Sequence, residues 1–251
     1  MIVAVIQSRM GSSRLPGKVL MDIHGKALLE RQIERISPSH LLDKIIIATS
    51  TNTEDDALEN FCKDRNYTFF RGSDWDVLDR FYQAVKTMAP GAKTVVRICS
   101  DNPLLSHQVV DEVVANYLLS GKSYFSNSNQ EPDYLEDGFD VEVFSFEALE
   151  DAWKNAALLS EREHVCPYIK KHSPCAWKKT HPGYHYKLSV DTEEDLNLVR
   201  SIFEKLGPNN DFSIHDVVDL LQAHPALIDI NKHSTINSGY QKSLKNDRKV
   251  K

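Results

Sequence analysis

The sequence predicts an α/β fold, a Rossmann-like and mostly parallel sheet flanked by helices. Apolar runs of strand length alternate with segments of helical apolar spacing through the first half of the 251-residue chain. The hydrophobic fraction of 41% suffices for a large core. Because no repeat or Pro- or Gly-rich linker divides the chain, we expect one domain over residues 1–242 and a basic, frayed tail over 243–251.

The first half of the sequence predicts repeated strand–helix units. Short apolar runs predict strands at residues 2–6, 44–49, 67–70 and 93–99. The segments between and after them carry apolar residues on one helical face and predict helices at 27–36, 53–65, 76–88 and 108–119. Because a helix connects each strand to the next, we expect parallel strands with helices on both faces.

The pattern changes after Gly121. Residues 123–133 are polar and rich in turn formers, and residues 139–144 alternate apolar and polar side chains as in a half-buried strand. Together they predict a small inserted β segment. Beyond it the pattern predicts helices at 146–158, 161–171, 193–206 and 214–224, with strands at 176–180 and 186–190.

The composition excludes several classes of function. A formal net charge of −6 provides no global attraction to nucleic acid or to an anionic membrane. No apolar stretch is long enough to span a bilayer, and the first residues lack the basic region of a signal peptide, so we expect a cytoplasmic protein. Four cysteines without a C-x-x-C pair indicate reduced thiols rather than a zinc site.

The loop between the first strand and the first helix, residues 8–18, is dense in Gly, Ser and basic side chains. Backbone N–H groups of such a loop can bind an anion, and Arg9, Arg14 and Lys18 can bind phosphate oxygens. The spacing of its glycines differs from that of the P-loop and of the dinucleotide fingerprint. We therefore predict a polyphosphate site of another type. The alternative is a turn with solvated charges.

Two aspartates directly follow predicted strands. Asp101 lies after the strand at 93–99, and Asp191 after the strand at 186–190. Open α/β sheets bind ligands at the carboxyl ends of their strands, and Mg²⁺ is usually held by one or two carboxylates together with substrate phosphates. The pair therefore predicts a Mg²⁺ site, unless Asp101 is only a turn residue and Asp191 a helix N-cap.

Other polar residues allow two interpretations each. Arg97 lies inside an apolar strand, where a charge needs a partner or a ligand. Asp140 and Glu142 share one face of a strand, which suggests acid–base chemistry, although solvent-facing acids would explain them equally well.

Residues in two further helices also allow two interpretations each. Glu163 and His164 lie near the start of the predicted helix at 161–171, where they reach a ligand or only cap and solvate that helix. Arg80 lies near the start of its own helix, and an exposed arginine is the favoured interpretation there.

One motif is specific enough to indicate a family. The form R-x-G-S-x-R-x-P-x-K is filled by Arg9, Gly11, Ser12, Arg14, Pro16 and Lys18. By this motif the chain resembles the bacterial cytidylyltransferases of the spore-coat polysaccharide biosynthesis type, which are similar to the enzymes that make CMP-3-deoxy-manno-octulosonate and CMP-sialic acid. Supporting matches lie at residues 48–50, 76–80, 97–103, 162–164, 190–195 and 237–240.

The resemblance implies a nucleotide-diphospho-sugar transferase-like fold. It implies transfer of CMP from CTP to an acidic sugar or sugar-phosphate-like acceptor, with release of pyrophosphate, for cell-surface polysaccharide biosynthesis. It also implies Mg²⁺ as the cofactor and a homodimer paired through about residues 124–143. A glycosyltransferase that uses a nucleotide-sugar donor and a non-catalytic nucleotide-binding protein are the alternatives.

The resemblance also implies roles for individual residues. Arg14 and Lys18 would hold phosphates, Arg9 would orient the α-phosphate, and Asp101 and Asp191 would hold the metal. The residues implied at the nucleotide are Gly11, Ser12, Ser50 and Arg80. Glu163 and His164 match the region that faces the acceptor in the relatives, and Arg97 and Glu142 are our further candidates for the acceptor site. The sugar-acid enzymes carry other residues at Arg97 and around 138–142, so the resemblance does not extend to the identity of the acceptor.

Overall fold

The computed structural model describes residues 1–128, 137–179, 186–207, 211–235 and 238–251. Its strands are β1 (Ile2–Gln7), β2 (Asp22–Ile23), β3 (Lys26–Ala27), β4 (Lys44–Ser50), β5 (Phe69–Gly72), β6 (Thr94–Cys99), β7 (Tyr124–Ser126), β8 (Glu142–Ser145) and β9 (Cys175–Trp177). Its α-helices are α1 (Leu28–Ile36), α2 (Asp56–Asp64), α3 (Val77–Met88), α4 (His107–Ser120), α5 (Phe146–Asn155), α6 (Leu159–His164), α7 (Cys166–His172), α8 (Glu193–Leu206), α9 (Ile214–Ala223) and α10 (Ser238–Lys245).

A mostly parallel sheet forms the centre of the molecule. Within the described residues it has seven strands in the order β5-β4-β1-β6-β8-β7-β9. Strands β1, β4, β5 and β6 pair in parallel, β8 is antiparallel to both β6 and β7, and β9 is parallel to β7. This confirms the predicted fold class.

The core has two layers, one on each face of the sheet. Successive residues of β1 point to opposite faces. Ala4 and Ile6 pack in one cluster with α1, α4 and α8, whereas Val3 and Val5 pack in the other with α3, α5 and α7. Because both faces are covered, the central strands are apolar throughout, as is typical of parallel sheets.

The predicted inserted β segment is part of the main sheet. Strands β7 and β8 extend it beyond β6, so residues 124–126 and 142–145 are sheet strands rather than a separate lobe. Residues 129–136, which belong to the segment expected at a dimer contact, lie outside the described residues. A small second sheet is formed by β2 and β3, which pair antiparallel just before α1.

Two predicted elements differ from the structure. The helix expected at 161–171 is divided into α6 and α7 at Val165, whose φ is 67°. Pro167 lies in the first turn of α7, and a proline ring is incompatible with the interior of a helix. The strand expected at 186–190 is not a strand in the described structure, because Asp137 accepts the backbone N–H groups of Leu188 and Ser189, each at 2.7 Å.

The C-terminal residues differ from the expected frayed tail. Asp247 accepts hydrogen bonds from the backbone nitrogen and the hydroxyl of Ser160, at 3.0 and 2.8 Å. The backbone nitrogen of Leu159 donates to the carbonyl of Arg248 at 2.8 Å. These two N–H groups open α6 and have no partner within that helix, so the tail supplies partners that a helix N-terminus needs.

No helix in the part of the chain that the structure describes is both long and apolar enough to cross a membrane.

Candidate active site

The opening loop, residues 8–18, folds back on its own backbone. The carbonyl of Met10 accepts hydrogen bonds from the backbone nitrogens of Ser12 and Gly17, both at 2.8 Å. Gly17 has a φ of 73°, a conformation that favours glycine. A Cβ at Gly11 would meet the carboxylate of Glu54, so a larger residue there would require the flexible end of that side chain to move.

Ser50 and Asp55 hold this loop through buried hydrogen bonds. The backbone nitrogen and hydroxyl of Ser50 donate to Asp55 Oδ2, and Asp55 Oδ1 accepts the backbone nitrogen of Met10 at 2.6 Å. Both side chains are fully buried. The hydroxyl of Ser50 thus bonds Asp55, which holds the loop, whereas the resemblance implied a contact between Ser50 and the nucleotide. Asp55 was missed because an acid in a helical first turn has an ordinary explanation.

Arg80 is buried, so the interpretation as an exposed helix arginine is wrong. Its Nη1 donates to the carbonyl of Ser73 at 3.0 Å, in the turn after β5. Burial, together with the charge of Arg9, lowers the pKa of Arg80 to about 10. Arg9 itself is about half exposed and lies 3.3 Å from Asp74. Two guanidinium groups therefore lie close to each other beside the opening loop.

The two predicted metal ligands lie together. Lys18 Nζ is 3.1 Å from Asp101 Oδ2 and 3.1 Å from Asp191 Oδ1, and it donates to the carbonyl of Val190 at 2.6 Å. The backbone nitrogen of Val190 donates to the carbonyl of Asp101 at 2.8 Å. The interpretation of Asp101 as only a turn residue is therefore insufficient.

Lys18 and Asp191 each favour the ionised form of the other. Burial acts to lower the pKa of Lys18, but the carboxylates of Asp101 and Asp191 outweigh it and raise that pKa. Burial acts to raise the pKa of Asp191, but the cations Lys18, Lys187 and Arg14 outweigh it and lower that pKa. Lys18 and Asp191 are therefore both ionised at neutral pH.

Asp191 contacts two further cations. Arg14 Nη2 lies 2.8 Å from Oδ1, and Lys187 Nζ lies 3.1 Å from Oδ2. The N-cap of α8 is Thr192, whose hydroxyl accepts the backbone nitrogen of Asp195 at 3.3 Å, so the N-cap interpretation of Asp191 is wrong. Lys187 was missed by sequence reasoning. Its signal is a lysine inside an apolar run, four residues before Asp191.

The geometry fits a divalent ion that arrives with a nucleotide. Two carboxylates converge on one cationic atom, and Asp101 remains 28% exposed. Among the described residues, no group of three or more His, Cys, Asp or Glu side chains could hold a metal. Two carboxylates are sufficient for Mg²⁺, because substrate phosphates and water complete its coordination.

A second polar cluster lies where β6 meets β8. Arg97 Nη1 pairs with Glu142, and Arg97 Nη2 donates to Gln7 Oε1 at 3.0 Å. Glu142 Oε1 also accepts the hydroxyl of Tyr124 and Nζ of Lys170, both at 2.7 Å. Burial opposes ionisation of Glu142, but Lys170 and Arg97 hold its pKa well below the usual value. Glu142 is therefore a buried, charged partner of Arg97, and not a solvent-facing acid.

Asp140 lies between the two clusters. Asn102, next to Asp101 in the chain, donates to Asp140 Oδ1 at 2.9 Å. Loss of solvation, reinforced by the carboxylates of Asp137 and Asp101, raises the pKa of Asp140 to about 7. The polar groups thus continue from the opening loop to the Arg97–Glu142 pair.

Glu163 and His164 end α6 rather than opening a helix. Glu163 accepts a hydrogen bond from the hydroxyl of Ser243 at 2.6 Å, and His164 contacts the ring of Tyr240 edge-on with centroids 4.9 Å apart. Burial lowers the pKa of His164 to about 4, so its ring is neutral at pH 7. The charges of Arg97 and Glu142 act on this ring, so His164 lies near that pair.

The chain is similar to known proteins over most of its length. The cytidylyltransferase family matches residues 3–218. MJ1063 of Methanocaldococcus jannaschii, an uncharacterized protein, is 37% identical over 239 residues, covering 92% of this chain and 95% of that protein. The spore coat polysaccharide biosynthesis protein SpsF of Bacillus subtilis is 29% identical over 239 residues, covering 89% of this chain and 95% of that protein.

A solved structure is similar over nearly the full length. A cytidylyltransferase from Leptospira borgpetersenii superposes with a TM-score of 0.82 at 28% identity, covering 94% of this chain and 98% of that chain. These matches confirm the resemblance carried by the opening motif. The chain belongs to the cytidylyltransferase family.

Proposed function

We propose that this protein transfers CMP from CTP to an acidic sugar or sugar-phosphate-like acceptor, with release of pyrophosphate, for cell-surface polysaccharide biosynthesis. The observation that carries the proposal is the convergence of Asp101 and Asp191 on Lys18 of the opening loop. A lysine ammonium in contact with two carboxylates suits a triphosphate and its metal. The name of the Bacillus subtilis relative supports a polysaccharide role.

The opening loop would bind the triphosphate. Its cations Arg14 and Lys18 offset the negative charge that develops on the departing pyrophosphate, and Arg9 orients the α-phosphate. Because Asp55 and Ser50 hold the loop from a fully buried position, its backbone needs little rearrangement when the nucleotide binds.

Mg²⁺ is the proposed cofactor, with Asp101 and Asp191 as the residues that would hold it. When bound, such an ion neutralises phosphate charge and polarises the α-phosphate. Lys187 and Arg14 keep the Asp191 carboxylate ionised and oriented, so a ligand for the ion is present before it binds.

The acceptor would lie on the side of Arg97. In the cluster of Arg97, Glu142 and Lys170, two cations face one carboxylate, which favours an anionic ligand. Glu163 and His164, whose ring is neutral, end α6 directly before α7, the helix that carries Lys170. An acceptor oxygen on this side forms a bond to the α-phosphorus in line with the bond to pyrophosphate, which breaks as that group leaves toward Arg14 and Lys18.

A thermal-shift panel of CTP, UTP, ATP and GTP, each with and without MgCl₂, tests the proposal. A saturating ligand raises the free energy of unfolding by a few kcal/mol, roughly 2.7 kcal/mol at one hundred times its Kd. We expect a shift selective for CTP and larger with Mg²⁺, followed by pyrophosphate release when acidic sugars are added. A shift with nucleotide-sugars and none with a triphosphate would contradict the proposal and favour a glycosyltransferase.

A further inference from the structure

A cavity of about 390 Å³ adjoins the site at Arg14. This volume is within the range of small-ligand pockets. The lining residues are Arg14, Thr192, Glu194, Ile230, Asn231, His233, Ser234 and Thr235. Arg14 also contacts Asp191 at 2.8 Å, so one residue belongs both to the cavity wall and to the predicted phosphate and metal site.

The far wall of this cavity, residues 230–235, lies beyond the part of the chain that the family matches. Asn231 is buried and donates to the carbonyl of Lys187 at 2.8 Å and to Asp195 Oδ1 at 2.9 Å. The hydroxyls of Ser234 and Thr192 lie 3.3 Å apart. The wall is therefore anchored to the same buried segment that orients Asp191.

The side chains that line the cavity favour a ligand with anionic oxygens. Arg14, His233 and the hydroxyls of Thr192 and Ser234 can all donate hydrogen bonds, as a ligand with several anionic oxygens requires. Within the described part of the chain, the imidazole of His233 is the only aromatic ring that lines the cavity, so these residues offer no large stacking surface for a base. The Arg97–Glu142 cluster, proposed for the acceptor, lines no part of it.

We propose that this cavity binds the terminal phosphates of CTP and the pyrophosphate product, with His233 and Ser234 contacting them opposite Arg14. This inference rests on the proposed function and extends it to a segment outside the matched family region. Glu194 at the same cavity adds one like charge, which weakens the binding of a polyanion. Substitution of Glu194 should therefore act in the opposite direction from substitution of His233.

Isothermal titration with pyrophosphate and, separately, with CMP tests this assignment in buffer containing MgCl₂. For His233→Ala and Ser234→Ala we expect the Kd of pyrophosphate to rise about tenfold, the loss of one hydrogen bond to a charged group. The Kd of CMP should stay the same, and Glu194→Gln should bind pyrophosphate more tightly. The matched control is His224→Ala, an exposed histidine outside the cavity.

Two results would overturn the inference. One is an unchanged Kd of pyrophosphate in both His233→Ala and Ser234→Ala, and the other is an equal weakening of CMP. A parallel titration of the unaltered protein with CTP separates this failure from failure of the proposed function. Absence of CTP binding there contradicts the proposed function, whereas CTP binding together with unchanged variants contradicts only the role of the cavity.

Discussion

The ammonium nitrogen of Lys18 lies 3.1 Å from a carboxylate oxygen of Asp191, although 173 positions separate the two residues in the chain. This contact joins the opening loop after β1 to the segment before α8. The same nitrogen reaches Asp101 at the end of β6. One lysine therefore connects the opening loop with both proposed metal ligands.

Replacing Lys18 by alanine should lower kcat/KM strongly. The substitution removes a phosphate contact to a charged group, which is worth about 1.5–3 kcal/mol, or roughly tenfold to a hundredfold in rate. It also leaves the carboxylates of Asp101 and Asp191 without the cation between them. Pyrophosphate release from CTP measures the effect. The control is Lys63→Ala, an exposed lysine on α2, and unchanged activity in Lys18→Ala would show that the loop has another role.

Substitution of Asp101 by asparagine should abolish turnover that depends on Mg²⁺ and leave the fold intact. The amide removes the negative charge that a divalent ion requires, while its size is nearly the same. Pyrophosphate release across a Mg²⁺ titration gives the activity, and circular dichroism verifies the fold. Asp229→Asn, at an exposed residue, serves as the control. A folded Asp101→Asn protein with full Mg²⁺-dependent activity would remove this residue from the metal site.

The pH dependence of stability should reveal two opposing groups. The pKa of His164 is about 4 in the folded chain, below its unfolded value near 6.5, so the unfolded state binds more protons between them. His164 therefore destabilises the fold as the pH falls from 6.5 toward 4. The pKa of Asp140, about 7, is raised, so the folded state binds more protons and Asp140 stabilises the fold as the pH falls from 7 toward 4.

Two variants separate these contributions. His164→Gln should show a free energy of unfolding that rises from pH 7 to pH 5, because only the effect of Asp140 remains. Asp140→Asn should show one that falls over the same interval. Urea unfolding at several pH values measures both. Parallel pH profiles for the two variants would mean that neither residue titrates as its surroundings imply.

A buried ion pair outside the site should matter for stability. Arg162 Nε lies 3.0 Å from both oxygens of Asp76, and Asp76 also caps α3. Arg162→Ala leaves a buried carboxylate unpaired, which typically costs about 3–5 kcal/mol. In chemical denaturation, Arg162→Ala should unfold at a lower midpoint concentration of denaturant than the unaltered protein. Lys232→Ala, which removes an exposed ion pair, should leave that midpoint unchanged. A normal midpoint in Arg162→Ala would mean that Asp76 finds another partner or water.

Several features of the site were accessible to sequence reasoning. The spacing of the basic residues in the opening loop indicates phosphate binding, and aspartates placed directly after strands indicate ligands at one edge of the sheet. Each of these signals is local. The adjacent parallel strands β1 and β6 bring the opening loop and Asp101 to one edge of the sheet, whereas Asp191 follows a segment that is not a strand and reaches them through its contact with Lys18. The division between α6 and α7 was also accessible, because Pro167 is visible in the sequence.

Other features have no local signal. Ser50 in a strand end and Asp55 in a helical turn look ordinary, and only the packing of the opening loop above them shows that they hold Met10. The tail after Ser243 is polar, and its order arises because α6 begins where the tail can supply hydrogen-bond partners. Burial of Arg80 likewise depends on the turn after β5 that covers it.

Hydrophobic periodicity and turn chemistry act over a few residues, so the α/β class, the loop that carries Arg14 and Lys18, and the candidate pair Asp101 and Asp191 could be predicted from the sequence. The contact by which Lys187 orients Asp191 and the cavity wall that residues 230–235 form beside Arg14 appear only in the folded chain. Such contacts join segments distant in the chain, and their geometry is set by packing of the whole core rather than by any local pattern.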